Sequence, residues 1–359
     1  MTAPPMTVSG WSSGAAAPHA LPACSLIIPT YRRPVEIVRL LALIADLPDP
    51  PGEVVVVDGS PEDEGSERAA HWAAGTSLPF ALSYVRSPTG LTRQRNVGID
   101  VSTGALVFFL DDDCFPEPGY FQAIERVYAS DVTNSVGGVC GALVNEMDRR
   151  LSLRWRLRLA LHLVPKSVQP GRYYQTATSV PMALAKPFTG TRSVDIMTGA
   201  ACSFRRDVLS AERFSSFFYG YSQGEDLEMS MRVRRFWQII WCGDARAYHA
   251  HAPGGRPPGF AKARMEAFNR VFIWRRHTPT PSTAIRVRFW LDMAFGFGFE
   301  MASWIARPWH LVSLSRALGV ARGTFAALWS PPNDHEPPAR CEYVASFTPL
   351  DLQPIVRNA

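Results

Sequence analysis

The sequence predicts an α/β fold organised on a doubly wound, mostly parallel sheet, and three observations predict it. Short apolar runs alternate with amphipathic segments from Cys24 to about Arg150, the rhythm of strands joined by crossover helices. Val54 to Val57 are β-branched without interruption, as expected of a strand covered on both faces. Phe108-Phe109-Leu110 passes directly into Asp111-Asp112-Asp113. That puts three acids at the carboxyl end of a buried strand, where open sheets of this class hold their ligands.

Taken in order, residues 1–22 are rich in Ala, Pro and Ser, with no basic start and no sustained apolar stretch. They are expected to be a disordered leader rather than a signal peptide. Ser25 to Ile28 reads as a strand stopped by Pro29, and a helix runs from Pro34 to Asp46 with Pro in its first turn. Glu53–Val57, Ala81–Val85, Ala105–Leu110 and Gly138–Leu143 read as further strands, with helices at Thr92–Val101 and Pro118–Ser130. Residues 146–192 break the rhythm. There Leu151, Leu153, Trp155, Leu157, Leu159, Leu161 and Leu163 alternate with Ser152, Arg154, Arg156, Arg158 and His162. A period of two predicts a half-buried edge strand; a basic, aromatic element touching a membrane or an acceptor is the other reading.

The pattern resumes with a strand-like Asp195–Phe204, a short helix at Arg206–Leu209, a Phe/Tyr-rich loop, a helix from Glu225 and short strands at Ile239–Cys242 and Ala247–His249. Gly254 to Gly259 form a Gly/Pro-rich break before a helical region. Within it Asp292, Gly296, Glu300, Ser303 and Arg307 share one face of a helix spanning Phe289–Ala306, and Leu311–Trp329 forms the next segment. Two acids argue against a membrane span, leaving packing on the domain or an interfacial position. The division expected is a leader at 1–22, a main domain at 23–253 (halves 23–145 and 146–253), helices at 254–330 and a flexible tail at 331–359.

A hydrophobic content of 47%, a charged content of 19% and a net charge of +5 describe a globular chain, not a disordered one. No clustered Lys/Arg or nucleic-acid motif accompanies that charge, so nucleic acid is not expected as a partner. The six cysteines are scattered without metal-type spacing, which favours a reducing compartment. The chain is expected in the cytoplasm, with a peripheral position at the inner face of the cell membrane open.

Four clusters carry chemistry. The acids Asp111, Asp112 and Asp113 would repel one another unless neutralised, and a hard divalent ion does this while bringing phosphate oxygens with it; an acidic surface turn is the plainer alternative. Gly90-Leu91-Thr92-Arg93-Gln94-Arg95-Asn96-Val97-Gly98 opens a helix with two early arginines, suited to a diphosphate, though Arg and Asn also serve as structural partners. Glu225-Asp226 opens another helix, either complementing its dipole or supplying a general base. In Tyr248-His249-Ala250-His251, strand alternation sends the two histidines to opposite faces, so at most one is expected as a metal ligand.

In this order, the clusters resemble the family 2 glycosyltransferases from about Ser25 to His277. The family's opening strand and turn are matched by Ile27-Ile28-Pro29-Thr30-Tyr31-Arg32-Arg33, and its second-strand Asp by Val57-Asp58-Gly59-Ser60. Leu91 to Gly98 match the Arg-Asn-x-Gly segment, and Asp111-x-Asp113 the D-x-D motif. Gly199-Ala200-Ala201-Cys202-Ser203-Phe204-Arg205, Glu225-Asp226 and His249 match the later ones. The turn after Asp58 is shorter than the family's.

The resemblance implies a GT-A fold with a C-terminal helical extension, and an inverting transfer from a nucleotide-diphosphate sugar to an acceptor hydroxyl. It implies that Pro29, Thr30, Tyr31 and Asp58 line the nucleoside pocket. Asp112 would approach the ribose, and Arg93 and Arg95, with Asn96 beside them, would lie at the diphosphate. Asp111, Asp113 and His249 would hold Mg²⁺ or Mn²⁺. Asp226 would be the catalytic base, with Glu225 next in line. The Gln-x-x-Arg-Trp motif of processive synthases is absent, which points to single transfer, and the basic, aromatic additions hint at a lipid-linked acceptor in bacterial envelope glycan synthesis. A sugar-nucleotide pyrophosphorylase and a non-catalytic nucleotide-sugar-binding subunit are the alternatives.

Overall fold

A computed structural model describes residues 21–252 and 257–329. The leader and the tail lie outside the described residues, except that Leu21 and Pro22 open the first strand; residues 254–256 of the Gly/Pro-rich break, with 253 before it, and residue 330 also lie outside.

The first half alternates as expected, with a helix at Glu64–Ala74 and a short strand at Cys114–Pro116 beyond those read from the sequence. It runs β1 (Leu21–Thr30), α1 (Pro34–Ala45), β2 (Pro51–Asp58), α2 (Glu64–Ala74), β3 (Ala81–Arg86), α3 (Leu91–Val101), β4 (Leu106–Leu110), β5 (Cys114–Pro116), α4 (Tyr120–Ser130) and β6 (Val136–Leu143). Successive strand residues point to opposite faces, and here both faces are apolar. Leu26, Ile28, Val54, Val56, Phe108 and Leu110 pack under α1, α2 and α4. Ile27, Val55, Val57, Val107 and Phe109 pack against α3 and the later helices. This two-sided burial is why the strands read as continuous apolar runs.

The second half comprises α5 (Leu153–Ala160), the ribbon β7 (Tyr173–Tyr174) and β8 (Thr178–Ser179), β9 (Thr191–Ser193), β10 (Ala201–Arg205), α6 (Arg206–Ala211), α7 (Glu225–Val233) and β11 (Gln238–His249). Among the described residues, nine strands form one sheet in the order β3-β2-β1-β4-β10-β6-β11-β5, with β9 on β11. Strands β1, β2, β3 and β4 are parallel, β10 runs antiparallel between β4 and β6, and β11 is parallel to β6. The chain leaves β1 towards β2 and β3 and returns to its other side as β4. The topological switch, where such sheets bind ligands, therefore lies between the ends of β1 and β4.

Three expectations change. The Leu/Arg alternation forms helix α5, not an edge strand: Ser152 Oγ caps it by accepting from Trp155 N, and Trp155 is its buried residue. Leu and Arg both favour helices, and Arg154 and Arg158, four apart, meet the acids of a later helix instead of an apolar core, so the periodicity misleads. Of Asp195–Phe204 only the end is strand; Asp195 instead receives Tyr173 N at 2.9 Å, Arg172 at 3.0 Å and Arg234 at 3.0 Å. The two late strands are one, β11, with a register shift between Trp241 and Arg246.

Helices α8 (Gly259–His277), α9 (Thr283–Ala306) and α10 (Leu311–Trp329) follow. α8 is tied to the domain by Phe272 stacked on Phe217 at 3.6 Å, by Asn269 donating to Gln223 O at 2.9 Å and by Arg276 pairing with Glu228 at 3.1 Å. Asp292 and Glu300 of α9 are buried and engaged by arginines, so these helices pack on the domain. Among the described residues no helix is long and apolar enough to cross a membrane.

α3 sits so close to β1 that a Cβ at Gly98 would meet Ile27 Cγ2 at 2.3 Å. Ile27 is fully buried, so Gly98→Ala overpacks this contact and is expected to cost about 1–3 kcal/mol. Urea unfolding should show a lowered midpoint at unchanged slope.

Candidate active site

The ends of β1, β2 and β4 and the start of α3 are cross-linked by polar side chains. Gln94 Nε2 donates to Thr30 O at 2.7 Å and to Val57 O at 2.9 Å, joining β1 to β2 from below. Thr30 Oγ1 donates to Asp112 Oδ2 at 2.8 Å, joining β1 to the turn after β4. Two cavities open here and share Thr30 and Arg33. One of about 380 Å³ is lined by Asp58, Ser60, Tyr84 and Gly65 among others. The other, about 280 Å³, is lined by Pro29, Tyr31, Gly90, Gln94, Asp111, Asp112, Asp113, Tyr221 and His249. Asp58 is buried and fixed by Tyr84 Oη at 2.6 Å and Ser60 N at 2.7 Å.

The three consecutive acids face three environments. Asp111 keeps part of its carboxylate exposed and pairs with Arg95 at 3.3 Å. Asp112 is turned inward onto Thr30 and onto Arg33 at 2.6 Å; its burial outweighs those partners and lifts its carboxyl to about 7. Asp113 is buried as well, which alone would raise it, but His249 Nε2 at 3.2 Å, Arg33 at 3.2 Å and the N–H of Ala252 at 2.8 Å hold it down at about 2. His249 is also half-buried, yet its bonds to Asp113 and Glu146 keep it protonated up to about 9.

Asp111, Asp113 and His249 offer ligand atoms that all lie within 4.8 Å of one another. Two carboxylates and one imidazole suit Mn²⁺, and the carboxylates suit Mg²⁺. The charge such an ion would balance is balanced here by Arg33 and by protonated His249, and an ion would displace that proton. The residues fit the metal. His251 joins His249 against expectation: the strand ends at His249, and a positive φ of 52° at His251 lets both rings reach Glu146, at 2.8 and 2.9 Å.

The arginine helix splits its roles. Arg95 is enclosed, 1% exposed, and bonds Glu225 at 3.1 Å, Asp111 at 3.3 Å and Gly199 O at 3.0 Å beside the Phe214 ring. It is a clamp between the acidic run and α7, not a group reaching out to a diphosphate. Asn96 is likewise used structurally, exchanging hydrogen bonds with the backbone of Phe214 at 2.9 and 3.0 Å. Arg93 is half-buried and does not line the cavity.

At the start of α7, Glu225 is buried on Arg95, whereas Asp226 lines a third cavity of about 210 Å³ with Glu146, Thr198, Met182 and Trp241. Asp226 accepts from Gly199 N at 3.1 Å and Leu227 N at 2.7 Å. Burial raises both carboxyls, and the charge of Asp226 raises Glu225 further. The second and third cavities meet at one contact: His249 lines the former, Glu146 the latter, and they are bonded to each other. Arg33, Gln94, Glu146 and His251 had no role assigned from sequence. Arg33 and Gln94 lie inside recognisable segments, whereas Glu146 carries no local signal.

Comparison with known proteins agrees with this geometry. The model of glycosyl transferase family 2 matches residues 25–211, more than half of the chain. Glycosyltransferase AglE of Haloferax volcanii is 31% identical over 121 residues, 33% of this chain and 39% of that protein. An uncharacterized glycosyltransferase of Haemophilus influenzae is 35% identical over 94 residues, 25% of this chain and 30% of that one. The chain thus matches well under two thirds of the length of either. Among solved structures, the mannosyltransferase PcManGT from Pyrobaculum calidifontis, in complex with GDP-Man and Mn²⁺, superposes with a TM-score of 0.51 at 16% identity, covering 89% of this chain and 90% of that one. GalNAc-T7 with UDP, GalNAc and Mn²⁺ gives a TM-score of 0.51 at 14% identity, covering 86% and 57%. At such identities these two speak for the fold, which is of the GT-A type. With its sheet, its acidic turn and more than half its length accounted for by one family model, the chain belongs to glycosyl transferase family 2.

Proposed function

We propose that the protein is an inverting glycosyltransferase that moves a single sugar from a nucleotide-diphosphate sugar to an acceptor hydroxyl. The observation that carries this reading is the meeting of two cavities across His249 and Glu146, one holding Asp111, Asp113 and His249 and the other holding Asp226. The donor lies in the first and in the adjoining cavity of Asp58, its nucleoside against Pro29, Thr30, Tyr31 and Asp58, with Arg33, which lines both, as the cationic group on the donor side. The acceptor lies in the second. Asp226 takes the proton of the acceptor hydroxyl as its oxygen attacks the anomeric carbon, and the bond to the diphosphate breaks on the opposite face. Asp111, Asp113 and His249 would hold Mg²⁺ or Mn²⁺, which would supply Lewis-acid stabilisation to a departing nucleoside diphosphate. Arg95 acts by position, holding Asp111 and Glu225 at a fixed separation. A covalent route has little support: Cys202, next to Gly199, is buried and its thiol is pushed up to about 12 by burial.

A lipid-linked acceptor is favoured by the end of α9, the turn after it and the start of α10, where Ile305, Trp309, Leu311 and Val312 are exposed. That surface suits contact with a membrane interface and fits a role in envelope glycan synthesis.

Titration calorimetry with UDP, GDP and dTDP, with and without Mn²⁺ or Mg²⁺, tests the donor site. Binding is expected to need the metal, because Asp111 and Asp113 otherwise repel the diphosphate. Equal affinity in excess EDTA would overturn the metal assignment, and no binding of any of the three would overturn the donor site.

A further inference from the structure

A cavity of about 410 Å³, separate from those of the active site, lies between α5, β8 and the helices α8, α9 and α10. Arg154 and Arg158 of α5 and Arg270 of α8 line it together with Thr178 and Ser179, the Thr178 hydroxyl accepting from Arg270 at 2.8 Å. Gly296 of α9 makes room there, since a Cβ on it would come within 3.2 Å of the Arg154 guanidinium. Ser179 lines this cavity and Pro181, two residues on, lines the cavity of Asp226.

The cations outnumber their carboxylates, although Arg270 also donates to Ala177 O and Thr176 O at 3.0 Å and to Thr178 Oγ1 at 2.8 Å. Arg158 pairs with Asp292 at 2.8 Å, and Arg270 contacts the other oxygen of the same carboxylate. Arg316 pairs with Glu300 at 3.1 Å and Arg154 reaches that carboxylate only at 3.7 Å. Four guanidinium groups thus converge on two carboxylates; Glu266, which also lines the cavity, has Lys262 at 3.8 Å. Arg154 Nε is buried and has no hydrogen-bond partner among the described residues. Burial, with Arg270 and Arg154 adding to it against the pull of Asp292, lowers Arg158 to about 10, and burial with Arg316 and Arg270 lowers Arg154. Positive charge gathered in a half-closed space without matching anions is costly, and guanidinium forks match phosphate geometry.

We propose that this cavity is a binding site for a phosphate or diphosphate group, held by Arg154, Arg158 and Arg270 with the hydroxyls of Thr178 and Ser179. The group comes either from a membrane lipid or from a soluble ligand, and the same residues serve both.

The test is titration of the full-length protein with inorganic pyrophosphate in EDTA, where metal-dependent binding at the acidic run is suppressed. Saturable binding is expected. Arg154→Gln should weaken it at least about tenfold, the usual worth of a charge-assisted hydrogen bond. Arg316 still holds Glu300 in that variant, so the fold should persist. Glu300→Gln should act in the opposite direction and tighten binding several-fold, because it removes the carboxylate that competes for Arg154. Flotation with phosphatidylcholine vesicles, with and without phosphatidic acid, separates the sources. Phosphatidic-acid-dependent flotation that Arg154→Gln abolishes assigns a membrane phosphate, and pyrophosphate binding with flotation unaffected by Arg154→Gln assigns a soluble one. The proposal fails if wild-type protein binds neither probe, or if both variants keep wild-type affinity. It also fails if both merely lose thermal stability and binding together, the behaviour of a structural ion network.

Discussion

Asp113→Asn is expected to reduce metal-dependent nucleotide affinity roughly 10²-fold or more, and turnover with it. Even an outer-shell partner of a metal ligand is worth about 10–100-fold, and Asp113 is here proposed as a ligand itself. Of the three acids it is the one held ionised most firmly, at about 2, by His249, Arg33 and the Ala252 N–H against the cost of its burial. Asparagine keeps the size and the hydrogen bond from Ala252 but removes the charge that both the ion and His249 need. The imidazole should then lose much of its upward displacement from about 9, which NMR titration of the metal-free protein would record as a fall in its pKa. Calorimetry with UDP or GDP in Mn²⁺ gives the affinity. Wild-type affinity in Asp113→Asn would remove this residue from the metal site and leave Asp111 and His249 without their shared partner.

Those features that local chemistry dictates were legible in the sequence. The Val54–Val57 run declares a two-sided strand, and acids directly after Phe108-Phe109-Leu110 declare the carboxyl end of another, so the parallel half and its ligand-binding edge follow. What escaped depends on distant partners. Helix α5 read as a strand because its inward face is answered by Asp292 and Glu300, more than 130 residues later, and hydropathy does not register an ionic contact. Glu146 gains its place only because β6 runs parallel beside β11, delivering it to His249 and His251. The two histidines converge because the chain turns through a positive φ at His251, where strand alternation no longer applies. Early arginines on a Gly-started helix leave Arg95 either a diphosphate ligand or a structural partner, and only the family resemblance puts it at the diphosphate. The fold turns it towards Glu225, Asp111 and Gly199, and that inward clamp is invisible until β10 is inserted antiparallel beside β4.

Asp226→Asn separates the chemical step from donor binding. The side chain lines the cavity on the far side of the His249–Glu146 contact, and its hydrogen bonds run to Gly199 N and Leu227 N. Asparagine preserves its size and the acceptor oxygen for Gly199 N, so the fold and the donor affinity should stay near wild type. Transfer in a single turnover should fall by about 10²–10⁴-fold, the usual contribution of a positioned general base. The sign of the pH dependence follows from the same carboxylate. A base works only when deprotonated, and burial raises the Asp226 carboxyl above its ordinary value. Wild-type activity should therefore fall as the pH drops through a point above the usual aspartate range, and be fully present above it. Glu225, raised alongside but occupied by Arg95, provides the comparison. Glu225→Gln should loosen the Arg95 clamp and act on stability and on donor binding through Asp111 before it acts on the chemical step. If Asp226→Asn keeps near-normal turnover while Glu225→Gln loses it with donor affinity intact, the base is Glu225, and Asp226 is only the carboxylate that receives the Gly199 N–H at the start of α7.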